Sequence, residues 1–172
     1  METEAGKDLV QEIEAVGAKV FEKDYQDIEI KGNSIRIGGL YDYAFALDGD
    51  NTVNPKKMDP EIYQFLKQYE DTEQFKLMMC HRPDSFVLGE AKDVWKVDLV
   101  VSGHTHGGQV ILPLLGGLWG PDQGWFPDYV DSYHTFKTSN IIITRGLSSE
   151  EQILPRFRNP GEILLLELNP TQ

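Results

Sequence analysis

Short apolar strands separated by amphipathic helices predict an α/β fold for this 172-residue chain. Three stretches carry the prediction. FKLMMC at 75–80 and VDLVVS at 97–102 are apolar runs of buried-strand length, and a helical pattern precedes each. DIEIKGNSIRIGGL at 27–40 alternates Ile28, Ile30, Ile35 and Ile37 around Gly32-Asn33, a pair that tolerates the positive φ of a hairpin turn.

In chain order, Leu9, Val10, Ile13 and Val16 recur at helical spacing and Gly17 stands where a left-handed cap would end the helix. The hairpin follows. Residues 41–58 show no clear period, and Asp42, Asp48 and Asp50 read there as a solvated loop. Asp59-Pro60 then supplies an N-cap and a first-turn proline to a helix with Ile62, Phe65, Leu66 and Tyr69 on one face. The strand at 75–80 leads to His81-Arg82-Pro83, and Pro83 favours a short helix over 84–94. The strand at 97–102 runs directly into GHTHGGQ. Beyond it, GGQVILPLLGGLWGPDQGWFPDYVDSY reads as a strand and a long loop, and SNIIITRG and PGEILLLELNP read as closing strands. No interior linker divides the chain, so one domain over 1–172 is expected.

Charge narrows the function classes. Sixteen Lys plus Arg against 28 Asp plus Glu give a net charge of -12, which opposes binding to nucleic acid or to an anionic lipid surface. No apolar run is long enough to span a bilayer. The segment METEAGKDLVQEIEAVG is acidic and lacks the apolar centre of a signal peptide, so a cytoplasmic or membrane-peripheral location is expected. Cys80, the lone cysteine, excludes an internal disulfide and fits a reducing compartment or indifference to redox.

His104 and His106 are spaced so that an extended chain would project both rings to one side. Gly103, Gly107 and Gly108 permit a tight backbone around them, and Thr105 faces away, free to brace the loop. Imidazole suits zinc, iron and manganese, and His81, at the end of the neighbouring strand, would be a third ligand. Three readings stay open on spacing alone: half of a binuclear site, a mononuclear three-His zinc site, or a polar patch at the sheet edge. His134, in DSYHTF, reads as structural. Arg82 and Arg145 follow strands and could reach a substrate phosphate, or brace their loops through salt bridges. Arg156 and Arg158 flank Phe157 and read as structural. Trp119, Trp125 and Phe126 would either pack the long loop onto the body or wall an apolar ligand.

FKLMMCHRPDSF, DLVVSGHTHGGQVILP, IIITRGL and NPGEILLLEL together closely resemble the C-terminal half of calcineurin-like metallophosphoesterases. The tail GHTHGGQ with a later Arg-Gly looks most like the bacterial branch that includes UDP-diacylglucosamine pyrophosphohydrolase-like enzymes. The resemblance implies the C-terminal part of a two-sheet sandwich flanked by helices, with the N-terminal half missing. It also implies two divalent ions (manganese, zinc or iron), His81 and His104 on one and His106 on the other, with His104 and His81 doubling as catalytic residues. The family's earlier motifs, Asp-x-His, Gly-Asp-x-x-Asp and Gly-Asn-His, do not occur here. Gly32-Asn33 continues to Ser34, and Gly49-Asp50 has Val53 where a second Asp is needed.

The expected parent activity is hydrolysis of a phosphate-ester small molecule or lipid headgroup, with this chain catalytically incomplete and holding partial or no metal alone. A non-catalytic binding or assembly module of the same fold, or a mononuclear three-His zinc protein, is the alternative. An uncovered apolar sheet face would favour a homodimer or domain-swapped form.

Overall fold

Lys31 and Gly32, at φ 51° and 79°, turn the chain back on itself between β1 (Asp24–Ile30) and β2 (Asn33–Leu40). Two successive positive φ values give the turn the twist that matches the flanking strands. The turn therefore falls one residue earlier than the Gly32-Asn33 reading, with Asn33 paired to Ile30 as the first residue of β2. The computed structural model describes residues 4–40, 47–48, 52–53, 58–147 and 154–170. Asp42 and Asp50 lie outside these residues, and so does the side chain of Asp48.

The sheet is completed by β3 (Phe75–Cys80), β4 (Val97–Ser102), β5 (Ser132–Thr135) and β6 (Ser139–Ile143), in the order β1-β2-β3-β4-β6-β5. β2, β3, β4 and β6 run parallel, while β1 and β5 close the edges antiparallel to their neighbours. Every parallel strand thus ends at the same border of the sheet, where open α/β sheets form their sites. β3 and β4 match the sequence reading in both bounds. β5 is polar and lies at an edge, where no apolar alternation is required, so it escaped the sequence reading.

Helix α1 (Glu4–Ala15) ends at Gly17, whose φ of 88° lets Ala18 N donate to Ile13 O. Helix α2 (Pro60–Glu70) starts where Asp59 accepts from the N–H groups of Glu61 and Ile62. It buries Phe65, Leu66 and Tyr69 with Met78, Cys80, Val100 and Ile141 of the sheet. Gly38 makes this possible, since a Cβ there would stand 2.5 Å from the Tyr69 ring. The opposite face of β3 is more open, with Phe75 38% and Met79 43% exposed, in line with an incompletely covered sheet.

Two expectations fail. The helix over 84–94 breaks at Leu88, which is extended (ψ 140°) before Gly89, leaving α3 (Asp84–Val87) and a 3-10 turn at Gly89–Asp93. Glycine is a weak continuation for a helix, and Trp95 is fully buried just beyond. The run PGEILLLELNP forms no strand. Ile163 is 82% and Leu165 94% exposed, and Glu162 N donates to Gly146 O in a loop contact. An apolar run becomes a strand only where a sheet edge receives it, and here the two edges are β1 and β5. The predicted strand after GHTHGGQ shrinks to Ile111–Leu112, paired with Gly116–Gly117.

Candidate metal centre

β3 delivers His81 and β4 delivers Gly103 to the common border, and Gly103 N donates to His81 O at 3.1 Å, tying the two strand ends together. The His81 and His104 rings meet edge to face with centroids 5.1 Å apart. The segment between them and Gln109 is not extended. His104, His106, Gly107, Gly108 and Gln109 all have positive φ, between 49° and 73°, and His106–Gly108 form a 3-10 turn. Left-handed histidines are uncommon and carry strain that the surroundings must over-determine. The spacing argument from an extended chain is corrected accordingly: both histidines have left-handed backbone, with Thr105 at φ −77° between them.

The surroundings supply the constraint. Thr105 is buried and its hydroxyl donates to Val130 O at 2.8 Å, the bracing role expected of it. Asn159, 4% exposed, donates through Nδ2 to both His106 O (2.6 Å) and Gln109 O (3.1 Å). Replacing Asn159 by Ala removes one of two donors from each carbonyl, leaving Gln109 N on His106 O and Phe157 N on Gln109 O, so a loss of about 1 kcal/mol is expected from urea unfolding. A loss under about 0.5 kcal/mol would show that the loop finds other donors.

His104 Nε2 lies 2.8 Å from Asp122 Oδ2, in a pair whose side chains are 16% and 12% exposed. Burial lowers the His104 pKa, against the opposing hydrogen bond and charge of Asp122. Burial likewise lowers that of His106, helped by the Arg156 and His81 charges. Both rings therefore favour the neutral form that a metal requires. The Nδ1 of His106 is buried without a hydrogen-bond partner, an orphaned nitrogen of the kind a cation satisfies. In donor chemistry the three imidazoles fit zinc, manganese or iron. Among the described residues, however, no three His, Cys, Asp or Glu side chains are grouped to hold one ion.

Asp84 lies near Asp122. It is 1% exposed, both of its carboxyl oxygens are buried without a hydrogen-bond partner, and burial followed by the Asp122 charge pushes its pKa up to about 6. Arg82 Nη1 stands 3.6 Å from Asp122 Oδ1. Arg145 makes a 2.9 Å ion pair with Glu162, whose other oxygen accepts from Arg145 N. The bracing alternative is therefore the one realised for Arg145. Arg156 braces the same corner by donating to the carbonyls of Arg145 and Gly146. His134 Nε2 is 2.6 Å from Asp131 O and its ring stacks edge-on against Tyr129, a structural placement on β5. Trp119 is half-buried, but Trp125 (65%) and Phe126 (53%) are exposed, so the tip of the long loop does not pack onto the body. A cleft of about 610 Å³ opens beside His81 and Arg82, lined also by Phe21, Leu40, Met79 and Thr144.

Asp122, Asp84, Asn159 and Glu162 are missing from the sequence reading of the site. Asp122 sits in a Gly-Pro-Asp stretch that signals a turn, and its distance from His104 in the chain hides the contact.

No family model matches the chain, and no solved structure matches it. Curated proteins do. The chain is 28% identical over 158 residues to the uncharacterized metallophosphoesterase YkuE of Bacillus subtilis (strain 168), covering 91% of this chain and 49% of that protein. It is 34% identical over 93 residues to phosphodiesterase YaeI of Escherichia coli (strain K12), 54% of this chain and 32% of YaeI. An uncharacterized metallophosphoesterase of Helicobacter pylori (strain ATCC 700392 / 26695) is 30% identical over 155 residues, 86% of this chain and 37% of the relative. The chain spans about half the length of the first of these and about a third of the other two. The chain is thus similar to bacterial proteins named as metallophosphoesterases and a phosphodiesterase.

Proposed function

We propose that this chain provides the histidine-rich part of a metal-dependent phosphoesterase centre, acting on a phosphomonoester, phosphodiester or pyrophosphate. The meeting of His81 and His104 at adjacent strand ends, with rings 5.1 Å apart, carries the reading. The metallophosphoesterase and phosphodiesterase names of the relatives support it. In this reading His81 and His104 hold one divalent ion and His106 a second. When bound, such ions supply Lewis acidity toward a phosphoryl oxygen.

The chain's own residues hold His104 and His106 toward the neutral form, fix the loop through Thr105 and Asn159, and place Arg82 beside the cleft that a phosphate ester or lipid headgroup would enter. Arg145, committed to Glu162, keeps that corner in shape. A lipid-directed pyrophosphohydrolase is the finer form of the proposal, supported by the GHTHGGQ sequence. With no Asp-x-His, Gly-Asp-x-x-Asp or Gly-Asn-His motif in these residues, the chain by itself is expected to bind metal weakly and to turn over no substrate.

Calorimetric titration with zinc or manganese tests the reading. Wild type is expected to bind, and His81→Ala and His104→Ala each to weaken binding at least tenfold. Mixing the chain with the N-terminal half of a relative such as YkuE is expected to yield hydrolysis of an aryl phosphate or phosphodiester in the presence of manganese. A chain that binds neither ion, or whose affinity survives both substitutions, would falsify the proposal.

A further inference from the structure

We infer that Asp122 is a positioning residue for His104, holding its ring in the tautomer protonated at Nε2 so that Nδ1 is the nitrogen offered to a divalent cation. The inference rests on the metal reading above but uses contacts that the motif does not contain. Asp122 Oδ2 lies 2.8 Å from His104 Nε2, and an ionised carboxylate can only accept, so the proton of that bond belongs to the ring. Fixing one ring nitrogen as a donor leaves the other with its lone pair. Metal-binding histidines commonly gain orientation and basicity from such a carboxylate on the far nitrogen.

Asp122 is itself well placed for the task. It lies in the turn between Trp119–Gly120 and Gly124–Trp125, which pair antiparallel. The next residue, Gln123, clamps that turn at both ends of its amide, donating to Tyr129 O at 2.9 Å and accepting from Tyr129 N at 3.1 Å. Arg82 faces the other carboxylate oxygen, Oδ1, at 3.6 Å, which leaves Oδ2 for the imidazole. With the two side chains only 16% and 12% exposed, water competes weakly for the bond. The long Gly-rich loop therefore reaches back 18 residues to set the orientation of a strand-end histidine. A plain tether of the loop to the body is the competing reading, and it makes different predictions.

Long-range proton–nitrogen spectra of the metal-free, histidine-labelled chain report which ring nitrogen carries the proton. The Nε2-protonated form is expected for His104 in wild type and a tautomer mixture in Asp122→Asn. Zinc titration of the same samples is expected to show affinity 10- to 100-fold lower in Asp122→Asn, with partial recovery in Asp122→Glu and unchanged circular dichroism. A tether would lower thermal stability yet leave tautomer and zinc affinity alone, and that result overturns the inference. An Nδ1-protonated ring in wild type also overturns it. If wild type binds neither zinc nor manganese, the phosphoesterase reading fails, while the tautomer spectra still decide whether Asp122 sets the ring.

Discussion

Replacing Gly108 by Ala is expected to destabilise the protein by about 3 kcal/mol, combining overpacking with a left-handed backbone that alanine resists. A Cβ at this position would stand 2.5 Å from the Cα of Gly117 and 3.0 Å from its carbonyl carbon. Both are backbone atoms, so no side chain can swing aside to relieve the contact. The same backbone is pinned on every side: Gly108 N donates to Thr105 O at 2.9 Å, and Gly108 O accepts from Val110 N and Leu118 N. Gly116→Ala is the control, because Gly116 has a similar φ of 79° with nothing within 4 Å of its added carbon. That control is expected to cost about 1 kcal/mol, the conformational part alone. Equal losses for the two variants in urea unfolding would mean that the loops do not touch at Gly108 and Gly117. A larger loss for Gly108→Ala, accompanied by weaker zinc binding, would tie this contact to the placement of His106.

The elements with strong local signals were legible in the sequence. β3 and β4 could be read because a run of apolar residues of strand length, bounded by a polar turn, has few other uses. α2 could be read because Asp59-Pro60 announces its first turn. The hairpin was visible but displaced by one residue, because Lys31 accepts a positive φ that composition would assign to Asn33.

Elements that depend on distant partners were less legible. PGEILLLELNP has the pattern of a strand, yet pairing is a property of the neighbour, and the run joins neither edge strand of the described sheet, β1 or β5. The site divides in the same way. His81, His104 and His106 could be chosen from local sequence because strand ends and glycines place them. Asp122 and Asn159 act on His104 and His106 from 18 and 53 residues away, and no spacing rule encodes such contacts. The strain of the left-handed histidines was equally hidden, since it arises from the loop's closure against Gly117 and Asn159 rather than from any residue's own preference.

Asp84→Asn is expected to stabilise the protein above pH 6 and to have little effect near pH 4. The wild-type carboxyl is 1% exposed and its pKa stands at about 6 in the fold, against 3.8 for the unperturbed group. Between these values the folded state binds more protons than the unfolded one, so stability falls as pH rises through the window. The full penalty, about 3 kcal/mol on this difference, is present above pH 6 and absent below about pH 4.

An amide cannot ionise, so the variant escapes the penalty. Because it remains a buried polar group among the same neighbours, the net gain at pH 8 is expected to be only about 1 to 2 kcal/mol. Melting temperatures at pH 4.5, 6 and 8, with a chelator present so that no cation stabilises the anion, check the sign. Wild type and variant should diverge as pH rises, with the variant higher at pH 8. Parallel curves would mean that the Asp84 carboxylate is compensated at neutral pH. In that case Gln123, whose amide favours the anion more than Arg82 does, would be the first side chain to replace in the same pH series.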